Sequence, residues 1–389
     1  MCYNVWTIII ESLIMPGGTL MNELSKVSVV LPSLDPDEKL TAVIDGLLEY
    51  GFSDIILVND GSKPENLHYF EDAATQHPEI HLLHHEVNRG KGAALKTAFA
   101  WFLENRPDAA GVVTVDGDNQ HHPEDTKACA LHMLANNKLV LGVRDFSLPH
   151  VPPRSRVGNR ITSGVFKLFV GMTISDTQTG LRALTTDNIR QLITVSGDRF
   201  EYETNMLLAM KEKAIAFDEV RIRTVYIEEN KSSHFHAIKD SWRIYKLILK
   251  HFFRYAISSI VCFVIDEGVF MLLSFLLHSI LQDVALTAVC TVSARLVSSM
   301  INFFMNHRLV FQSQASLGKS LVRYYALAIP QLAVQFLLTQ GVYTLLSIPD
   351  SATLLRGLIY GLVMCVLFIA SFVIQQRWVF AGKASQKNK

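Results

Sequence analysis

Apolar and polar positions divide this chain into two regimes. Across residues 22–230, short apolar runs alternate with segments that repeat apolar residues at helical spacing, the order expected of a parallel sheet joined by crossover helices. The runs predict strands over 27–31, 55–58, 81–85, 112–115 and 139–143, with helices over 36–50, 64–76, 91–104, 123–136 and 156–169. From residue 252 the pattern changes to four apolar stretches, 252–277, 284–305, 324–348 and 354–374, each near the ~20 residues a helix needs to cross a bilayer. The expected fold class is therefore α/β, a Rossmann-like and mostly parallel sheet domain, followed by an all-α domain of four transmembrane helices over 252–380.

The junction 231–251 carries Lys231, Lys239, Arg243, Lys246 and Lys250 with Trp242, Tyr245, Leu247 and Ile248 between them. That is the pattern of an amphipathic helix at a membrane surface, with an ordinary charged surface helix as the alternative. Further basic residues, Arg308, Lys319, Arg323 and the tail from Arg377, fall on the same side after two and four crossings. The bias predicts a multi-pass protein of the cell membrane with the α/β domain and the 381–389 tail in the cytoplasm. At the other end, the 6–14 run is too short to span and no small-residue cleavage site follows it, so Met21 reads as the native start and 1–21 as an extension.

The membrane half contains a duplication. Arg254-Tyr255 and Arg323-Tyr324 open the first and third spans, and residues 302–311 resemble 371–380, as expected of a repeated two-helix hairpin. Asp266, Glu267 and Arg295 fall inside the spans, where a charge is costly unless paired, so Arg295 is expected to pair with Asp266 or Glu267.

Composition sharpens this picture in two ways. The 389 residues hold 36 basic and 36 acidic side chains, a balance that gives no support for nucleic-acid binding. Five cysteines, Cys2, Cys129, Cys262, Cys290 and Cys365, lack metal-ligand spacing and read as small apolar packing residues.

The chemistry gathers at the ends of the strands. In an open α/β sheet ligands sit at the carboxyl edge, which here would collect Asp35, Asn59, Asp60, Asp116, Asp118 and Arg144. The Asp116-Gly117-Asp118 pair suits a hard divalent cation completed by substrate phosphates, and reads equally as a turn or helix cap before Pro123 until the shared rim is considered. Asn88-Arg89-Gly90-Lys91-Gly92 follows a strand and opens a helix, a place where backbone can approach an anion closely.

Taken together, Val29-Val30-Leu31-Pro32, Asn59-Asp60-Gly61-Ser62, the 88–92 turn, Asp116 to His121, Gly142-Val143-Arg144 and Asp176 to Arg182 resemble the family 2 glycosyltransferases. Within them the pattern is most similar to the dolichol/polyprenyl-phosphate (GtrB-like) branch, over about residues 26–250, and the membrane half resembles a GtrA-like domain. The resemblance implies a GT-A domain over 22–230 that transfers a sugar from a nucleotide-diphosphate donor, UDP-glucose as first candidate, to a polyprenyl phosphate with inversion, for cell-surface glycan synthesis. It also implies Mg²⁺ or Mn²⁺ held by Asp116, Asp118 and Gln120. Asp60 and Asp35 are expected at the nucleoside, with Pro32, Asn59 and Lys91 among the substrate-binding residues. Arg144, Arg156 and Arg182 match basic positions near donor or acceptor phosphates, and Asp118, Arg144 and Arg182 are the candidate catalytic residues. His121 and His122 are weaker candidates for the metal. Departures from the family pattern fall at Asn59, where an aspartate is usual, and at Asp35-Pro36.

A polysaccharide or teichoic acid acceptor is the alternative within the enzymes, and a transporter or membrane scaffold with a nucleotide-binding domain is the alternative outside them. The motifs leave open the sugar, product translocation by the membrane half, and assembly into a homo-oligomer.

Overall fold

The computed structural model describes residues 2–4, 23–149, 151–223, 245–246, 249–281, 283–311, 313, 315–349 and 351–381. Most of the 1–21 extension, most of the 231–251 amphipathic segment and the tail from 382 lie outside the described residues. The chain divides into two compact units, Met1–Ile248 and Leu249–Lys389.

The first unit is built on a single sheet. Its strands are β1 (Cys2–Asn4), β2 (Val27–Ser33), β3 (Ile55–Asn59), β4 (Ile80–His84), β5 (Gly111–Thr114), β6 (Leu139–Arg144), β7 (Arg182–Thr185) and β8 (Phe217–Ile222). Their spatial order is β1-β8-β6-β7-β5-β2-β3-β4, parallel throughout except for β7, which runs antiparallel to both β5 and β6. The helices are α1 (Glu38–Glu49), α2 (His68–Gln76), α3 (Lys91–Asn105), α4 (Pro123–Asn136), α5 (Pro153–Val165), α6 (Thr186–Leu192) and α7 (Glu201–Glu212). All five strands expected from the apolar runs form: four are buried as a covered parallel sheet requires, and the fifth, β4, is the half-buried edge strand. Side chains facing one way pack with Leu40, Ile44, Cys129 and Met133, while those facing the other pack with Phe99, Phe102, Tyr202 and Leu207.

Strands β7 and β8 and helices α6 and α7 were not foreshadowed by the apolar pattern. Arg182-Ala183-Leu184-Thr185 is too short and too polar to read as a core strand, yet all four residues are buried. Its guanidinium is accommodated because Nε donates to Thr179 O at 3.1 Å and Nη1 to Glu203 O at 2.9 Å.

A buried ionic cluster pins the base of β3. Asp54 accepts from Arg106 Nη2 at 2.7 Å and from Ser28 Oγ, and His81 Nε2 lies 2.9 Å away. Burial alone would raise the Asp54 pKa, but the Arg106 and Ser28 hydrogen bonds outweigh it and hold the carboxyl below its ordinary 3.8. A depressed folded-state pKa contributes stability that is present above the unfolded value and lost as the pH falls through the folded one. Asp54→Asn should therefore cost about 1–3 kcal/mol at neutral pH, with the gap from wild type closing below the ordinary carboxylate range in thermal unfolding series.

The second unit consists of α8 (Lys250–Leu277), α9 (Asp283–Met305), α10 (Leu317–Leu345) and α11 (Thr353–Ile374). Four helical stretches, from 26 to 29 residues, are long and apolar enough to cross a membrane. At 1.5 Å per residue each exceeds the ~30 Å hydrocarbon core. Their outward faces carry large apolar side chains such as Phe275, Leu345 and Leu354, which suit lipid rather than water. The expected intramembrane pair forms between Arg295 and Asp266, at 3.4 Å, with Ser298 Oγ donating to the same carboxylate at 2.7 Å.

The duplication has a structural counterpart. Both α9 and α11 end in a π-helical turn, Asn306–Val310 and Gln375–Val379. The two copies bond crosswise: Asn306 Nδ2 donates to Gln375 Oε1 at 3.1 Å, Gln375 Nε2 to the Tyr255 hydroxyl at 3.1 Å, and the Tyr324 hydroxyl pairs with Asn302. The rings of Phe311 and Phe380, matching positions in the two copies, stack at 5.1 Å.

Candidate active site

The parallel strands deliver their carboxyl ends to one rim, and the sequence-derived candidates divide there into an outer group and a supporting group. Asp35 sits in the left-handed region, φ 47°, and its Oδ1 accepts from Lys63 N at 2.8 Å while its own N donates to Ser62 Oγ at 2.8 Å. Asn59, at the end of β3, accepts from Ser62 N at 2.9 Å. Pro32 and Ser33 close β2 beside Val58 and Asn59. These contacts tie the β2 and β3 loops into one surface.

Asp60 lies deeper than the sequence implied. Its Oδ1 pairs with His85 Nδ1 at 2.6 Å and accepts from Arg89 N at 3.0 Å, while Oδ2 accepts from Gly90 N at 2.8 Å. His85 is anchored in turn, with Nε2 2.9 Å from Thr97 Oγ1 on α3. The carboxylate therefore shapes the glycine turn that opens α3, where Gly90 adopts φ 102° and a Cβ would run into Asp198. Gly61, at φ 74°, lies against Val87 and Asn88 on the other side of the turn and likewise leaves no room for a Cβ.

Two carboxylates follow β5 and differ in environment. Lys91 Nζ contacts Asp116 Oδ1 at 2.7 Å and Glu203 Oε1, from α7, at 3.1 Å, and His121 Nε2 is 3.6 Å from Asp116 Oδ2. Burial alone would raise the Asp116 pKa, but Lys91 and His121 hold the carboxyl far below the usual range. Burial would likewise lower the Lys91 pKa, and Asp116 with Glu203 raises it instead. Among the described residues Asp118 has no such ion pair: burial and the neighbouring Asp116 charge push its pKa up, against a hydrogen bond from Gln120 N at 3.2 Å. Backbone at Gly180 packs directly on the Asp116 carboxylate, so a Cβ there would collide with it.

The helix-cap reading of the pair does not hold, because α4 is capped by His122, whose Nδ1 accepts from Glu124 N at 3.2 Å. His122 thus has a capping role at α4, while His121 lies beside Asp116.

The three arginines occupy different depths. Arg144 is clamped by Asp176 at the end of β6, with Nε to Oδ2 at 2.7 Å and Nη2 to Oδ1 at 3.2 Å. Exposed Arg156 donates to Leu148 O at 3.0 Å. Arg182 is 2% exposed and lies in the core below the rim, where burial draws its pKa down. Two partners escaped the sequence reading. Glu203 stands on a helix that the apolar pattern did not foretell, and Asp176, within a quoted motif, carried no signal that it would face Arg144.

Comparison with known proteins gives a consistent result for each half. Residues 28–189 match the model described as glycosyl transferase family 2, and residues 254–380 the model described as GtrA/DPMS, transmembrane domain. An uncharacterized protein of Methanocaldococcus jannaschii is 28% identical over 60% of this chain and 96% of its own. The UDP-N-acetylglucosamine–dolichyl-phosphate N-acetylglucosaminyltransferase of Methanococcus voltae is 26% identical over 51% of this chain and 86% of its own. The undecaprenyl-phosphate mannosyltransferase of Micrococcus luteus is 25% identical over 43% of this chain and 69% of its own.

Proposed function

We propose that this chain, a glycosyltransferase in which a family 2 domain is joined to a GtrA/DPMS transmembrane domain, transfers a hexose from a nucleotide-diphosphate donor to a polyprenyl phosphate. The observation that carries the reading is the convergence of Asp116, Asp118 and the Gly90-Lys91 start of α3 on one rim, in a chain with four membrane-crossing helices. The lipid acceptor is taken from relatives whose names specify dolichyl-phosphate and undecaprenyl-phosphate transfer.

The donor set fits a divalent cation. Among the described residues no three His, Cys, Asp or Glu side chains form a metal cluster by themselves. Two carboxylates and the Gln120 amide make a partial oxygen set of the kind Mg²⁺ or Mn²⁺ accepts when substrate phosphates complete the shell. The repulsion that raises the Asp118 pKa is what a bound cation would relieve. Held there, the cation would stabilise charge developing on the departing diphosphate.

The remaining chemistry falls to the chain and its substrates. A lipid phosphate, with its second pKa of about 6, is already anionic near neutral pH and needs no strong base. Its oxygen bonds to the anomeric carbon as the bond from that carbon to the diphosphate oxygen breaks, so the configuration inverts and the nucleoside diphosphate leaves with the electron pair. The α3 N-terminus and Lys91 offer positive potential to the donor phosphates, and Arg144 offers it at the adjacent strand end. The basic loops support a cytoplasmic catalytic face, and UDP-glucose is the first candidate donor.

Labelled nucleotide sugars offered with undecaprenyl phosphate to membranes carrying the protein test the reading. Label should pass to the organic phase with one donor and stay in the aqueous phase when divalent ions are chelated before that donor is added. Label that stays aqueous with every donor would overturn it.

A further inference from the structure

Lys91 stands on the atom a metal would need. Its Nζ lies 2.7 Å from Asp116 Oδ1, and the same nitrogen has a second anchor, Glu203 Oε1, at 3.1 Å. An ammonium at this distance takes up the lone pair directed at it and sets a unit positive charge beside the oxygen, so a divalent ion bound there competes with the ammonium. Charge on the rim supports an exchange of cations. Lys91 is shared between Asp116 and Glu203, and Arg144 is committed to Asp176. Gly180 backbone packed against Asp116 limits how far that carboxylate can turn to serve both cations at once.

We propose that Lys91 and the divalent cation compete for Asp116, with Glu203 as a positioning residue that keeps the displaced ammonium at the site, where it can meet the donor diphosphate. The proposal rests on the metal reading above and adds a role for Glu203, which acts through its contact with Lys91. Lys91 thus lowers metal affinity in the absence of donor, and Glu203 limits that effect by giving the displaced ammonium a carboxylate to move to.

Mn²⁺ titration of the purified full-length protein in nanodiscs, followed by electron paramagnetic resonance of the free ion, tests this without any turnover. Lys91→Met should bind Mn²⁺ about tenfold more tightly than wild type, because a unit charge is removed beside the ligand. Lys91→Arg, which keeps the charge, should stay within about twofold of wild type if charge is the cause. Glu203→Gln should weaken Mn²⁺ binding in the wild-type background and have little effect when combined with Lys91→Met, since its action runs through the lysine. Unchanged or weaker binding in Lys91→Met overturns the competition alone, and an equal Glu203→Gln effect in both backgrounds overturns the positioning role. Absence of Mn²⁺ binding in wild type and variants alike, both without and with added nucleoside diphosphate, would overturn the metal reading and this inference together.

Discussion

Asp118→Ala should abolish sugar transfer while leaving the protein as stable as before, or slightly more so. The two halves of that expectation have one cause. Burial and the adjacent Asp116 charge raise the Asp118 pKa, so at neutral pH its ionised form costs folding free energy rather than contributing it. Removing the carboxylate relieves that cost. It also removes an oxygen from a partial metal set that has only two carboxylates, and the loss of electrostatic stabilisation at a leaving diphosphate is worth roughly 10³-fold or more in rate. The measurement is lipid-linked product formation alongside thermal unfolding of the same preparation. Activity within tenfold of wild type would remove Asp118 from the metal set, and a large fall in melting temperature would show that the loss of activity was structural.

Asp60→Ala is expected to have the opposite profile, a severe loss of stability. The carboxylate is 4% exposed and accepts from Arg89 N and Gly90 N while pairing with His85. Alanine leaves two buried polar groups, His85 Nδ1 and Gly90 N, without their partner, each costing about 1–3 kcal/mol, so a loss of roughly 2–6 kcal/mol is expected. That is a large share of the 5–15 kcal/mol typical of a whole domain. Because the affected backbone is the turn that opens α3, proteolytic nicking between Gly61 and Gly90 should accelerate before global unfolding. A melting temperature unchanged within experimental error would show that the turn holds its shape without Asp60.

The contrast between these two aspartates marks what the sequence could convey. Asp116 and Asp118 were legible because an apolar run ends on them, and a parallel strand must deliver such residues to the sheet edge. Asp60 was equally visible at the end of β3, but its partners come from residues 85–90, brought near only by the β3–β4 pairing. Arg182 was placed at the phosphates by its motif and is found in the core, since an arginine on a short strand gives no sign of which carbonyls will satisfy it. Glu203 is more extreme: its helix has weak periodicity, and its contact with Lys91 joins distant parts of the chain. The membrane helices were the easiest to find, because length and hydropathy alone define them, although the third begins at Leu317 rather than at Tyr324.

The crosswise bonding of the membrane repeat bears on how the protein is made. Asn306 and Gln375 are 69 residues apart and buried, and each completes its hydrogen bonding with the other copy. At roughly 5–20 residues per second, the first hairpin is synthesised several seconds before the turn that carries Gln375. During that interval its amide is held within its own hairpin by Asn302 and Ser258 and lacks only the bond to Gln375. Each hairpin can therefore insert with its amide already bonded, and the last helical turn to be synthesised adds the bond that joins the two copies.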